Sequence, residues 1–392
     1  MKHETLVILG STITALAVAR HAWRLGLASV IIDRKPGIAF SSRLAKHQVY
    51  DDADEPLSLQ RLCSLAGSRS YLIATEDYWV RFVVKHRPVL DAAFDRVLHP
   101  ANTAIEVCLD KKKFTAWCQS QQLPSPALWT PSELDDLHRV RFPVFIRPAQ
   151  TRHDLAPGTV PKAVEATTEE ALRDWLLRYK ELGVAALVTE SLLNRRPTQF
   201  SVPFASCDGT FLSFVARKVR PPADWSRVGT YVELDPQPKV EALARRAVMA
   251  LDYNGIGEVE ILRSEDDGKQ YLIEINARPW VQYSIAPASG HNLLGVALGW
   301  DPTKGETPRK TGVQWLNFWS DAYVCFSRSE GLYGSGCFGI REYLRSVLRA
   351  NAYAVFDWRD PLPAVEDFWG GIRPFAPFLA LLRRCGKDRE GA

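Results

Sequence analysis

Long apolar runs are missing from these 392 residues. No stretch of about 18 apolar residues occurs, which excludes a membrane-crossing helix. The opening Met1-Lys-His-Glu-Thr5 leads into a short apolar run and then Gly10, Ser11 and Thr12, which is not the pattern of a secretory leader. The seven cysteines form no CxxC pair. An odd, scattered set argues against a disulfide framework and for reduced thiols in the cytoplasm. Charge of one sign is also scarce. Basic residues number 49 against 45 acidic, a formal balance of +4. That is too little to argue for nucleic acid, although a local cationic pocket for phosphates is compatible with it. There is no internal repeat and no low-complexity segment. What remains is the composition of a globular protein long enough for two or three domains.

Residues 1–105 alternate between strand and helix patterns. Strands are predicted at 6–9, 29–33 and 71–75, the last followed by Glu76 and Asp77, and a helix at 14–25 is stopped by Gly26. This is a doubly wound parallel sheet. Its first turn invites a dinucleotide reading, with Asp33 where a ribose-binding acid would sit. The glycine pattern fails, because Thr12 and Ala15 follow Gly10 where backbone must approach a pyrophosphate. A nicotinamide or flavin enzyme is therefore a distant reading.

Further on, Asp110 is placed to cap a helix reaching 121, and Thr130-Pro-Ser-Glu133 reads as a capping box. A strand is expected at 142–147, a helix from Thr167-Thr-Glu-Glu170 to 182, and a strand at 185–190. Strands at 199–204 and 210–218 turn at Asp208-Gly209. Helices are expected at 238–251 and 292–298.

The chemistry concentrates in two neighbouring segments. Tyr271-Leu-Ile-Glu-Ile-Asn-Ala-Arg-Pro-Trp280 sets Glu274 in an apolar strand, with Asn276 two positions on and Arg278 two beyond that. Gly257-Glu-Val-Glu-Ile-Leu262 places Glu260 in a similar setting, and Glu265-Asp-Asp-Gly268 between them is a hairpin turn signal. Alternation in a strand puts Glu274 and Asn276 on one face, and the hairpin brings Glu260 beside them. Like charges side by side are costly unless a cation compensates. Oxygen ligands without sulfur or imidazole suit Mg²⁺, which uses one or two carboxylates plus substrate phosphates.

With these residues the chain resembles the ATP-grasp superfamily, and within it the carboligases related to carbamoyl-phosphate synthetase and D-aspartate ligase. The resemblance also draws on residues 6–20, on Asp110-Lys111, on Phe142-Pro-Val-Phe-Ile-Arg-Pro148 and on Ser289-Gly-His-Asn292, and so spans about residues 5 to 300. It implies an α/β fold of ATP-grasp type: a Rossmann-like pre-ATP-grasp domain over 1–105, an ATP-grasp body of two α+β subdomains over 106–302, and a helical, aromatic-rich C-terminal extension over 303–392. It implies ATP and Mg²⁺ or Mn²⁺. Glu260, Glu274 and Asn276 match the metal ligands. Lys111 matches a lysine that reaches the nucleotide, and Arg147 stands where a lysine on the phosphates is usual. Glu190, Ser191 and Leu192 match the segment that contacts adenine, with the backbone of Ser191 and Leu192 reading the base. Gln199 stands where a ribose-binding glutamate is common. Arg278 would clamp the γ-phosphate or the incoming carboxylate. Lys218, with Arg217, is a weaker phosphate candidate, a solvated strand end being the alternative. Residues 149–158 take the place of a glycine-rich lid, with Arg152 and His153 as donors. His291 is expected to be structural, while the amides around it could meet an anion.

The implied activity is ATP-dependent joining of a small carboxylate, such as an amino acid, to an amine through an acyl phosphate. Glu274, Asn276 and Arg278 would act at the reacting centre. Carboxylation through carboxyphosphate is the enzymatic alternative. Arg147 and Gln199, as departures, keep a non-catalytic nucleotide-binding protein open. The partners are small molecules, and symmetry allows for a homodimer. The tail carries a helix pattern at 340–350, with Arg341, Arg345 and Arg349 at four-residue spacing that reads as a solvated face. An apolar segment at 374–384 is expected to pack on the body.

Overall fold

The computed structural model describes residues 4–67, 69–129, 140–149, 161, 163–220, 228–301, 308–326 and 339–372. The capping box at 130–133, Arg152, His153 and residues 374–384 lie outside them.

Among the described residues three sheets organise the chain. The first is parallel throughout and contains β1 (Thr5–Leu9), β2 (Ala28–Asp33), β3 (Lys46–Val49), β4 (Ser70–Ala74) and β5 (Arg96–Val97), in the order β3-β2-β1-β4-β5. Residues 6 to 9 of β1 are wholly buried because both faces are covered. Leu6 and Ile8 join the core of the helix Ile13–Arg24, while Val7 and Leu9 join Trp79, Val80 and Val83 of the helix Asp77–Ala93. The Gly10 turn is closed from within. Ser11 N–H donates to Glu76, the Ser11 hydroxyl donates to Asp33, and Asp33 also accepts from the Trp79 indole. The acid that a ribose would need is thus engaged by the chain itself.

The second sheet is antiparallel: β6 (Leu128–Trp129), β7 (Val144–Pro148), β8 (Val164–Ala166) and β9 (Ala186–Glu190), ordered β6-β9-β7-β8. The third has eight strands. These are β10 (Pro197–Cys207), β11 (Thr210–Ser213), β12 (Ala216–Arg220), β13 (Tyr231–Leu234), β14 (Gly255–Ser264), β15 (Gln270–Asn276), β16 (Gln314–Leu316) and β17 (Ala352–Tyr353). The main path runs β15-β14-β10-β12-β13-β16-β17, with β11 on β10. The strand predicted at 210–218 is broken at Phe214 and Val215. Both are buried, and the break lets β11 and β12 pair with different stretches of β10.

Local signals place most helix ends correctly. The Asp110 side chain accepts from Lys112 and Lys113 N–H at 2.9 and 3.0 Å, Thr168 caps the helix Glu169–Glu181, and Asn292 caps Leu293–Ala297. The boundary drawn at 302/303 does not mark an edge of the core. β16 continues the third sheet beyond β13, and Trp315 is fully buried with side chains from the first sheet's helix layer. Among the described residues no helix is long and apolar enough to cross a membrane.

One buried histidine ties the first sheet to the acidic hairpin. His99 Nε2 accepts from Ala74 N–H at 2.7 Å, and its Nδ1 pairs with Ala277 O at 3.0 Å. Burial holds its pKa down from 6.5 to about 4. Between those values the unfolded chain takes up a proton that the folded chain refuses. Stability is therefore complete above about pH 6.5 and is lost as pH falls toward 4, on the order of 3 kcal/mol from this group. His99→Gln is expected to weaken the protein at pH 7.5 but to flatten this acid loss. Urea midpoints across that range check it, and an unchanged slope would contradict it.

Candidate active site

The acidic hairpin works as a strand pair with two opposite faces. In β14 and β15, Glu258 lies opposite Asn276 and Glu260 opposite Glu274. Val259, Ile261 and Ile275 alternate with them and are buried in the core behind. A bulge shifts the register between Glu260 and Ile261, leaving Ile273 without a partner. That extra residue lets Leu272 enter the core although it has the same parity as Glu274. Gly257 is required by the close pairing, since a Cβ there would meet Phe204 at 2.7 Å and Asn276 O at 2.9 Å.

Strands β10 and β12 extend the polar face. Lys218 Nζ donates to Glu260 at 2.7 Å, and Gln199 Nε2 donates to its other oxygen at 2.8 Å. Ser201 donates to Glu258, as does Asn276 Nδ2 at 2.9 Å. Lys218 is therefore a buried member of the site and not a solvated strand end. Arg217 points elsewhere, to Glu233 and Asp235. Gln199 gives its amide nitrogen to Glu260 and keeps its Oε1 unengaged among the described residues.

Charge on this face is dense. Burial, then the neighbouring Glu260 charge, raises Glu258 to about 7, with Lys218 opposing. Burial and Glu260 also raise Glu274, opposed by Lys111, Arg147 and Lys218. Burial works against the charge on Arg278, but Asp77, Glu258 and Glu274 outweigh it and hold its pKa above the ordinary value. Burial lowers Arg147, with Glu274 opposing. Three carboxylates thus face four cations, brought from β7, β12, the helix Lys111–Ser120 and the segment after β15.

Arg278 does not reach out alone as a clamp. Its Nε donates to Asp77 at 2.5 Å, at the start of the helix that follows β4. Glu190 is held by Arg195 and by Ala127 N–H. The Ser191 amide donates to Pro143 O at 3.1 Å, so that half of the expected adenine-reading backbone is already engaged. Leu192 is buried beside it. The amides of Ser289, Gly290 and His291 donate to carbonyls of the preceding turn, which corrects the expectation of an anion site there. The His291 Nδ1 meets Ser289 at 2.8 Å, and burial lowers its pKa to about 4.

The face fits a divalent ion. Among the described residues the Glu274 carboxylate accepts no hydrogen bond, and Asn276 spends its amide nitrogen on Glu258, leaving its oxygen. Among the described residues Gln199 Oε1 is a buried acceptor without a partner, and Arg147 Nε a buried donor without one. The free acceptors are oxygens, as Mg²⁺ or Mn²⁺ prefers. No three His, Cys, Asp or Glu side chains among the described residues form a ready-made metal cage. Glu260, Glu274 and Asn276 would hold such an ion only with oxygens supplied by a substrate.

No family model and no curated protein matches the chain. Solved structures do. N5-carboxyaminoimidazole synthetase from Staphylococcus aureus, complexed with ADP, superposes with a TM-score of 0.65 at 12% identity, covering 83% of this chain and 85% of that one. The carboxyaminoimidazole ribonucleotide synthetase from Thermus thermophilus gives 0.61 at 19%, covering 79% and 82%. The biotin carboxylase domain of the Hydrogenobacter thermophilus 2-oxoglutarate carboxylase, with MgADP and bicarbonate, gives 0.58 at 16%, covering 79% and 71%. The chain has the ATP-grasp fold. The likeness is one of fold, and none of these neighbours is a D-aspartate ligase. Arg147 of the small sheet lies near enough to Glu274 of the large sheet for their charges to interact.

Three members of that surface escaped the sequence reading. Glu258 had a visible signal, since it precedes Glu260 by one strand period. Ser201 had none, because its partner is 57 positions away. Asp77 lies 201 positions from Arg278.

Proposed function

We propose that this protein is an ATP- and Mg²⁺-dependent ligase that joins a small carboxylate, such as an amino acid, to an amine and releases ADP. The observation that carries the reading is the single polar face on which Glu258, Glu260 and Glu274 meet Lys111, Arg147, Lys218 and Arg278. A triphosphate needs fixed positive charge, and its metal needs fixed carboxylate oxygens; this face offers both. In the reaction a carboxylate oxygen attacks the γ-phosphorus and ADP leaves. The amine nitrogen then attacks the acyl carbon, loses a proton, and phosphate departs. Mg²⁺, when bound, would neutralise phosphate charge. Lys218 and Gln199 hold Glu260 in one orientation. Lys111, Arg147 and Arg278 stand as preorganised positive charge, which costs no reorganisation during the reaction.

A second reading takes bicarbonate as the carboxylate. It is favoured by neighbours named as carboxyaminoimidazole ribonucleotide synthetases and by the carboxylase domain solved with bicarbonate and MgADP. An ADP-release screen of carboxylates against amines, with and without bicarbonate, tests both. Release that needs a carboxylate and an amine supports ligation. Release with bicarbonate and no amine supports carboxylation. Tight ATP binding without turnover would overturn both in favour of a non-catalytic nucleotide-binding protein.

Asp77→Asn removes the charge opposite Arg278 at constant size. It is expected to lower kcat for ADP release about ten-fold, the scale of one charge-assisted hydrogen bond, and to cost less stability than loss of a fully buried partner because Asp77 is half-exposed. Steady-state kinetics beside a melting curve checks this. A normal kcat would remove Asp77 from the positioning of Arg278.

A further inference from the structure

We propose that the helix Ile340–Arg349 seats the protein on a lipid bilayer surface that carries anionic headgroups. At about 100° per residue the helix divides into three adjoining stripes. Tyr343 and Val347 face the body: Tyr343 is buried with its ring edge-on to Phe326, and Val347 packs with Tyr231, Leu316 and Ala350. Next around the circumference come Ile340, Leu344 and Leu348, which are 55%, 54% and 85% exposed. Arg341, Arg345 and Arg349 follow directly, all exposed and none in a salt bridge with a described carboxylate.

Aliphatic side chains in register along an exposed helix face call for a cover. The row of arginines beside them specifies the cover. A bilayer presents apolar chains and anionic phosphates as two adjacent depths, continuous along the helix. An apolar stripe edged by arginines fits that order: the aliphatic row enters the acyl boundary, and the guanidinium groups hydrogen-bond phosphate at the headgroup level. A protein partner would have to supply carboxylates at the spacing of one helical turn, whereas a lipid surface supplies phosphate at any register.

Neighbouring helices expose aromatic side chains as well. The helix Phe318–Phe326 touches the arginine helix through Phe326 and leaves Phe318 and Tyr323 exposed by 45% and 55%. Its Trp319 meets Phe368 of the helix Leu362–Ile372, where Trp369 is 61% exposed. Amphipathic rings of this kind sit well at a membrane–water boundary.

Sedimentation of the full chain with vesicles of phosphatidylcholine, with and without phosphatidylglycerol, tests the proposal. Binding is expected to appear with phosphatidylglycerol and to weaken as salt rises. The double variant Arg341→Gln/Arg345→Gln is expected to reduce partitioning about thirty-fold at low salt, at roughly five-fold per arginine. Leu344→Ser/Leu348→Ser is expected to bring it to the phosphatidylcholine background. Both pairs are exposed, so melting temperature and ADP release in the absence of vesicles are expected to stay unchanged. Failure to bind either vesicle overturns the proposal, as does binding that neither variant alters. If instead the leucine variant turns a dimer into a monomer in sedimentation velocity and leaves vesicle binding intact, the face belongs to a second copy of this chain and the lipid assignment is wrong.

Discussion

Glu274→Gln is expected to reduce ADP release by at least about 10²-fold while the protein melts at or slightly above the parent temperature. The loss follows the scale of removing one preorganised electrostatic group from a reacting centre. The unchanged fold follows from the environment of the side chain. Burial and the charge on Glu260 both disfavour the ionised Glu274 carboxylate. Among the described residues it accepts no hydrogen bond, so a neutral isostere relieves repulsion and leaves no donor without its acceptor. Glu260→Gln makes the contrast. It also removes a charge from the face, but it strands the buried Lys218, whose Nζ lies 2.7 Å from Glu260. Leaving a buried charge without its partner costs about 3–5 kcal/mol, so Glu260→Gln is expected to lose both activity and stability. Turnover assays beside chemical denaturation separate the two. Normal turnover in Glu274→Gln would remove the acidic face from the proposed chemistry, whatever the stability result.

The second large effect is expected far from that face. Asp360→Ala should destabilise the protein by about 3–5 kcal/mol. The Asp360 side chain is fully buried and accepts from Arg20 Nε at 3.0 Å, the Ser42 hydroxyl at 2.8 Å and Arg43 N–H at 3.2 Å. Arg20 itself donates to Val355 O at 2.7 Å and to Asp360 O at 2.8 Å. Burial lowers the Arg20 pKa, and the Asp360 charge is the largest influence opposing it. Removing the carboxylate leaves a guanidinium in the core with only neutral partners. The same pair joins the first helix of the chain to a segment 340 residues later. The size of the effect therefore measures how firmly the C-terminal part belongs to the body. Arg24 and Asp357 lie nearby but are more exposed, and Asp357→Ala is expected to cost less than about 1 kcal/mol. In a double-mutant cycle with Arg20→Met, the Asp360→Ala penalty should shrink, because the stranded charge is gone. A loss below about 1 kcal/mol for Asp360→Ala alone would show that the C-terminal part is merely appended.

Local signals carried a good share of the architecture. A strand buried on both faces, a capping aspartate and a hairpin turn act over a few residues, so their consequences could be read from short windows. That is why the parallel sheet, the Asp110 cap, the capped helix start at Thr167-Thr-Glu-Glu170 and the shared face of Glu260, Glu274 and Asn276 were legible. The same windows misplaced whatever depended on a remote partner. Lys218 was indistinguishable from a solvated strand end until β12 was brought beside β10. Nothing near Gln199 in the chain signals that its amide nitrogen meets a carboxylate 61 residues away. The aromatic tail gave no sign that Gln314–Leu316 would continue the large sheet.

Outside the bulge at Ile273, the sequence by itself determined which side chains share a face, because strand periodicity is a property of the backbone and needs no partner. Only the tertiary structure decided which faces meet. That choice set Lys218 on Glu260, Asp77 on Arg278 and Asp360 on Arg20. It depends on how the strands are ordered and how the sheets stack, and a charge buried by that packing must find its counter-ion wherever the fold delivers one.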